Sequence, residues 1–225
     1  MSDAKNEDGR ETIEAMDALP PVWDAMAHYH SRLEQIERDV AAAAASGEAV
    51  IVLLGDSISE GHPAHGVAGY RVVNMGISGD KIAMEPDGGV LRRLDVVGKA
   101  RPRHVFLMIG VNDFWHTPPK ALEAAIADYA QLAEALPRAV PGARIWMLST
   151  FPTSGEYASL NANVQELNKH VRQLAARHRA TFVDMQPLMA DANGALRPEL
   201  TSDGIHLSAL GYDVWTRELE RVLNG

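Results

Sequence analysis

Near the C-terminus, Asp203-Gly204-Ile205-His206 sets a carboxylate three residues before an imidazole, and far upstream Gly55-Asp56-Ser57 sets a hydroxyl just after an apolar run. An Asp at that spacing can hold one imidazole nitrogen, which leaves the other to take the proton of a serine. The order Ser, Asp, His is one in which serine hydrolases carry their three groups. If the fold joins the two ends of the chain, Ser57 is a nucleophile, His206 its general base and Asp203 the group that orients the base.

Acyl transfer also needs donors for a developing oxyanion. Ser57 should open a helical turn and offer its own N–H, where the helix dipole favours negative charge. In Asn74-Met75-Gly76-Ile77-Ser78-Gly79-Asp80, Gly79 can aim a backbone N–H because glycine admits positive φ. In Gly110-Val111-Asn112-Asp113, the amide of Asn112 can donate without carrying charge. Taken singly, each has a plainer reading: a cap for Ser57, tight turns for the glycine and asparagine segments. Asp56, Ser78, Asp80 and Asp113 read as carboxylates and hydroxyls that fix turns.

Histidines 28, 30, 62, 65, 104, 116, 170 and 178 are not read as catalytic; of these only His116 has an Asp, Asp113, three residues upstream. His62-x-x-His65 has imidazoles suited to zinc but lies in a Pro/Gly-rich loop with no other evident ligand. It reads as part of a substrate-cleft loop, and no metal is expected.

The elements that must position these groups can be read from periodicity. Residues 1 to about 12 form a charged tail. Pro20-Pro21 introduces a helix with Trp23, Met26, His30, Leu33, Ile36 and Val40 at helical spacing, followed by an alanine run that stops at Gly47. From residue 49 strands and helices alternate. The apolar run 49–54 reads as a strand covered on both faces. Further strands fall at 71–75, 104–109, 143–148 and 181–184, with helices at 87–98, 119–136, about 157–174 and 208–223. Such alternation implies a parallel sheet with helices on both faces. Functional groups then collect beyond the carboxyl ends of the strands, on one rim after Leu54, Met75, Ile109 and Asp184.

A chain of 225 residues can build one substantial core. Net charge of −9 speaks against nucleic acid or an anionic membrane as partner. The absence of cysteine excludes disulfides and thiolate catalysis. The polar first ten residues lack a signal-peptide core, and no apolar run reaches the ~20 residues a membrane span needs. A cytoplasmic location is expected.

Together, Gly55 to Ser59, Asn74 to Gly79, Gly110 to Asp113 and Asp203 to His206 resemble four sequence blocks of the SGNH, or GDSL, hydrolase family. Trp23, His28 and His30 are similar to the platelet-activating-factor acetylhydrolase-like subgroup. The resemblance covers about residues 49 to 223 and implies a flavodoxin-like three-layer α/β/α sandwich with a five-stranded parallel sheet. It also implies Ser57, Asp203 and His206 as the catalytic triad and Ser57, Gly79 and Asn112 as the oxyanion hole, with no cofactor. Residues 49–225 are then the catalytic domain and 1–48 a tail and helical extension. Covering the cleft or joining a homodimer are the two roles open to that helix.

The expected activity is hydrolysis of a short-chain ester, the acetyl ester of a carbohydrate or small lipid, through an acyl-enzyme. Two other readings stay open: a metal-dependent phosphoesterase using Asp56, Asn112, Asp203 and histidines, and a silent binding module. Loops at 60–70, 80–89, 113–118 and 151–158 are expected to line the cleft with His62, His65, Tyr70, Phe114, Trp115, His116, Phe151 and Tyr157.

Overall fold

A computed structural model describes residues 24–84, 88–115 and 118–225. The tail, Pro20-Pro21, Trp23 and His116 lie outside the described residues.

The strands are β1 (Val50–Gly55), β2 (Gly66–Val67), β3 (Tyr70–Gly76), β4 (His104–Met108), β5 (Arg144–Leu148) and β6 (Thr181–Val183). The helices are α1 (Ala25–Ser46), α2 (Ser57–Glu60), α3 (Leu94–Lys99), α4 (Val111–Trp115), α5 (Leu122–Ala139), α6 (Asn161–Arg177), α7 (Gln186–Met189) and α8 (Ala209–Asn224). The sheet order is β2-β3-β1-β4-β5-β6, all parallel except β2, which pairs antiparallel with β3.

The five strands read from sequence are thus a parallel set, and a sixth joins them at the edge. β2 is two residues long and turns back through Ala68 and Gly69, both at positive φ. A strand that short has no alternation to read, so segment 60–70 looked like loop throughout. Leaving β2 aside, the parallel order is that of flavodoxin-like doubly wound sheets, in which the winding reverses between β1 and β4. The crevice outside the strand ends at that reversal is where such sheets bind ligands.

Strand β1 shows why the chain layers as it does. Val50, Val52 and Leu54 point into one buried cluster with α1, α3, α5 and α6, while Ile51 and Leu53 point into the other with α2, α7 and α8. Both faces are dry, so the strand is apolar at every position.

Helix α1 starts at Asp24, whose side chain accepts from the N–H groups of Met26 and Ala27, and stops at Gly47 with φ 71°. Its buried stripe is Tyr29, Ile36, Val40 and Ala43, with Leu33 partly buried. The sequence-based stripe was rotated too far: Met26 and His30 face solvent, because Tyr29 takes the inward position beside them. The helix placed at 87–98 is a 3-10 turn, Val90–Arg93, running into α3, and the helix placed from Tyr157 is a 3-10 turn, Gly155–Leu160, running into α6.

No described helix is long and apolar enough to cross a membrane.

Candidate active site

Ser57 is the first residue of α2, directly after β1, and Asp56 caps that helix by accepting from the N–H of Ile58 at 3.0 Å. Ser57 Oγ lies 3.0 Å from His206 Nε2, and His206 Nδ1 lies 2.7 Å from Asp203 Oδ2. The three groups read from spacing are therefore brought into one hydrogen-bonded line. Burial alone would raise the Asp203 carboxyl, but bonds from His206 and from the N–H groups of Ile205 and His206 hold it below the ordinary value. An ionised carboxylate only accepts, so His206 Nδ1 carries the proton and Nε2 is left to accept from Ser57.

The loop carrying Asp203 is built for this. Thr201 Oγ1 donates to the carbonyl of His206 at 2.7 Å and accepts from the N–H of Gly204 at 2.9 Å. Gly204 has φ 93° and sits against Ser154, whose carbonyl a Cβ would approach to 2.5 Å. Ser154 N donates to the Gly204 carbonyl at 2.8 Å, so this loop is fastened to the one that follows β5. The side chains of Asp203 and His206 remain 45% and 47% exposed, so water screens their attraction and the contact acts through orientation rather than stability.

The proposed oxyanion donors start from neighbouring strand ends, since Gly55 pairs with Gly76 on one side and Met108 on the other. Ser57 N–H is at the first turn of α2, where no intrahelical acceptor exists. Residues Ile77 to Asp80 form a turn closed by Asp80 N–H to the Ile77 carbonyl at 3.0 Å, with Gly79 at φ 78° in the position that demands glycine. Asn112 is buried in α4, and its Nδ2 donates to the carbonyl of Asp80 at 2.9 Å. The second and third donor segments are thus bonded to each other.

Each of the three proposed donors has a buried aspartate beside it: Asp56 before Ser57, Asp80 after Gly79, Asp113 after Asn112. Uncompensated charge there would oppose an oxyanion. Arg93 answers Asp80 through Nε and Nη2 at 3.0 and 2.8 Å, and also donates to the carbonyls of Met75 and Gly55 at 2.6 and 2.9 Å. Lys120 answers Asp113 at 2.8 Å and bonds Asp128 and the carbonyl of Ala83. Asp113 also accepts from the N–H of Ile82 at 3.1 Å. Among the described residues Asp56 Oδ2 is buried without a hydrogen-bond partner. Burial pushes its carboxyl up to about 7 against the pull of the Ile58 N–H, and Asp80 and Asp113 add to the rise.

Several residues expected to line the cleft do other work. His62 is buried, edge-on to Trp215 and Tyr212 with ring centroids 4.8 and 5.6 Å away, and burial pulls its pKa down to about 4. Phe114 and Phe151 are core residues. Tyr70 packs edge-on to His104, and with His65 it lines a groove of about 860 Å³ between α1 and the β2–β3 edge, which includes neither Ser57 nor His206. Trp115 and Tyr157 stay at the rim, edge-to-face with centroids 5.6 Å apart. Among the described residues no three His, Asp or Glu side chains converge as a metal site.

Sequence reading missed Arg93, Lys120, Glu60 and Thr201. For Arg93 a signal existed: it falls at the i+3 position from Val90 and four before Val97, a charge set within an apolar stripe.

A Ser-His-Asp line at the reversal point of a doubly wound sheet is an arrangement that serine-type hydrolases use. The family model of the GDSL-like lipase/acylhydrolase family matches residues 53–214, and the chain belongs to that family. It is 27% identical over 157 residues to the platelet-activating factor acetylhydrolase IB subunit alpha1 of Homo sapiens, over 68% of this chain and 64% of the relative. It is 26% identical over 165 residues to an acetylxylan esterase of Geobacillus stearothermophilus, over 68% of this chain and 72% of that one. Among solved structures it superposes on a GDSL-like lipase from Bacteroides thetaiotaomicron with TM-score 0.68 at 24% identity, covering 84% of this chain and 97% of the other. A catalytic mutant of an acetylxylan esterase from Geobacillus stearothermophilus superposes with TM-score 0.61 at 23% identity, covering 78% and 93%. The chain spans about 64% of the length of the acetylhydrolase subunits it matches.

Proposed function

We propose that this GDSL-family hydrolase is a serine esterase or deacylase that removes a short acyl group, with an acetyl ester of a carbohydrate or small lipid as its substrate. The observation that carries the reading is the line Ser57 Oγ, His206 Nε2, His206 Nδ1, Asp203 Oδ2, with contacts of 3.0 and 2.7 Å. Ser57 Oγ attacks the acyl carbon while His206 Nε2 takes its proton, and Asp203 stabilises the resulting imidazolium. The N–H groups of Ser57 and Gly79 and the amide of Asn112 receive the oxyanion. Collapse of the tetrahedral intermediate returns the proton to the departing alkoxide and leaves an acyl-enzyme on Ser57. Water, deprotonated by His206, then releases the acid. The scheme uses no cofactor.

One observation supports a small acyl group, and a second bears on the alcohol part. The relatives are an acetylhydrolase subunit and an acetylxylan esterase by name. The triad also lies at an exposed rim, where Trp115 and Tyr157 offer aromatic edges to the alcohol part of the substrate. In this reading residues 49–225 carry the chemistry and 1–48 extend it.

The test is Ser57→Ala on p-nitrophenyl acetate, with fluorophosphonate labelling of the wild type. Loss of turnover and labelling at Ser57, both indifferent to EDTA, are expected. Retained activity in the variant would overturn the assignment, and loss with chelator would favour the metal-dependent phosphoesterase instead. An inert wild type that takes no label would favour the binding module. Esters of increasing acyl length, set beside acetylated sugars, then define the substrate.

A further inference from the structure

We propose that Glu60 is a positioning residue for the oxyanion hole, and that α1, outside the matched family region, holds it in place. This rests on the acyl-transfer reading above and assigns that site a support that reaches it from α1, outside residues 53–214.

Glu60 ends α2, three residues after the nucleophile, with its side chain mostly buried. Its Oε2 accepts from the backbone N–H of Ser78 at 2.5 Å and from Ser78 Oγ at 2.7 Å. Ser78 is the residue before Gly79 in the turn that presents the proposed oxyanion N–H. One carboxylate therefore ties the nucleophile's helix to the oxyanion turn through a backbone bond and a side-chain bond. Charge-assisted bonds of this length are the stronger kind.

A partly buried carboxylate needs compensation, and α1 supplies it. His28 Nε2 lies 3.1 Å from Glu60 Oε2, and Arg32 Nε lies 3.8 Å from Oε1. Arg32 also donates to the carbonyls of Gly76 at 3.1 Å and Asn74 at 2.8 Å, at the end of β3. Asn74 closes the arrangement from below: its Nδ2 donates to the carbonyls of Ser59 and Glu60, and its Oδ1 accepts from the N–H of Gly76. Burial alone would raise the Glu60 carboxyl, yet the bonds from Ser78 and His28 outweigh it and hold it below the ordinary value. It is an ionised acceptor at neutral pH, and His28 is the donor in their contact.

Among the described residues no hydrogen bond joins Glu60, Arg32 or Asn74 to the triad side chains, so their effect on rate must pass through the position of Gly79. Misplacing a reacting group by ~1 Å can cost ~100-fold.

The experiment compares Glu60→Ala, Glu60→Gln and His28→Ala/Arg32→Gln with Asn112→Ala and the Glu60→Ala/Asn112→Ala double variant, on p-nitrophenyl acetate, with thermal melts. Glu60→Ala should lower kcat by ~10- to 100-fold with KM within about twofold, and Glu60→Gln, which keeps an acceptor, should recover much of it. Combined with Asn112→Ala, the two losses should fall well short of multiplying, because both act on one oxyanion. A kcat within twofold of wild type in Glu60→Ala, or fully multiplicative losses, would overturn the proposal. Should Glu60→Ala fail to fold, the His28→Ala/Arg32→Gln variant decides: a reduced kcat supports the clasp and an unchanged one sinks it. If Ser57→Ala is inactive while Glu60→Ala is normal, only this inference fails. If Ser57→Ala is active, the acyl-transfer reading fails first.

Discussion

Asn112 donates through Nδ2 to the backbone carbonyl of Asp80 at 2.9 Å. A primary amide has two N–H bonds, so this contact fixes the side chain while leaving the second for an oxyanion. The bond also joins the loop after β4 to the turn after β3. Asn112→Ala should therefore lower kcat by ~100- to 1000-fold on p-nitrophenyl acetate. Ser57 and His206 keep their contact in this variant, so KM should move little, and a steady-state comparison of kcat and KM checks both.

Arg93 is buried with Asp80 and reaches the carbonyls that end β1 and β3. Removing one partner of such a pair strands the other's charge, at a cost of about 3–5 kcal/mol. Arg93→Met should lower the urea midpoint accordingly. Adding Asp80→Asn should regain part of the loss by removing the orphaned charge. A midpoint unchanged in Arg93→Met would show that the pair contributes nothing.

Asp56 gives a pH signature. Its carboxyl titrates at about 7 in the folded protein against 3.8 ordinarily, chiefly because it is buried. Between those values the folded state holds a proton that the unfolded state has lost, so this group lowers stability as pH rises and its contribution levels off above about 7. The full cost at alkaline pH is on the order of 4 kcal/mol, at ~1.4 kcal/mol per pH unit of displacement. Asp56→Asn keeps an acceptor for the Ile58 N–H and abolishes the titration. It should be more stable than wild type at pH 8 by on the order of a few kcal/mol and show no such gain near pH 4. Urea melts across that range measure the difference.

Trp115 stands half-exposed at the rim, edge-to-face with Tyr157. Trp115→Ala should change stability by less than about 1 kcal/mol, as surface substitutions usually do. For an acetylated oligosaccharide KM should rise ~2- to 12-fold, the size of one aromatic contact, while p-nitrophenyl acetate is turned over as before. Equal effects on both substrates would remove Trp115 from alcohol recognition.

What the sequence disclosed follows from physics that is local. Strand β1 was plain because both faces are covered and Val50 to Leu54 are all apolar. The Asp203–His206 pair was legible because the loop between them is short and closes on itself through backbone bonds to Asp203 Oδ1. Arg93 and Lys120 were not, because what they do depends on carboxylates that the fold brings from elsewhere: Asp80, 13 residues from Arg93, and Asp128, 8 residues from Lys120. His62 misled for the opposite reason. A histidine in a Pro/Gly-rich loop looks exposed, but α8 returns with Tyr212, Trp215 and Thr216 to bury it. The role of α1 was silent because its inward Tyr29 and its clasping His28 and Arg32 act on β3 and α2, which no spacing within the helix reveals.

The sheet ends on its two shortest strands, β2 with two residues and β6 with three. An edge strand is a template for foreign chains in proportion to its unpaired backbone, and short edges are one way proteins blunt it. A parallel sheet, assembled from segments distant in sequence, folds slowly and exposes its strands while it does so. Edges this brief leave little backbone for another copy to zip onto, so crowding during synthesis should stall this chain less than its β-rich, strand-paired interior would lead one to expect.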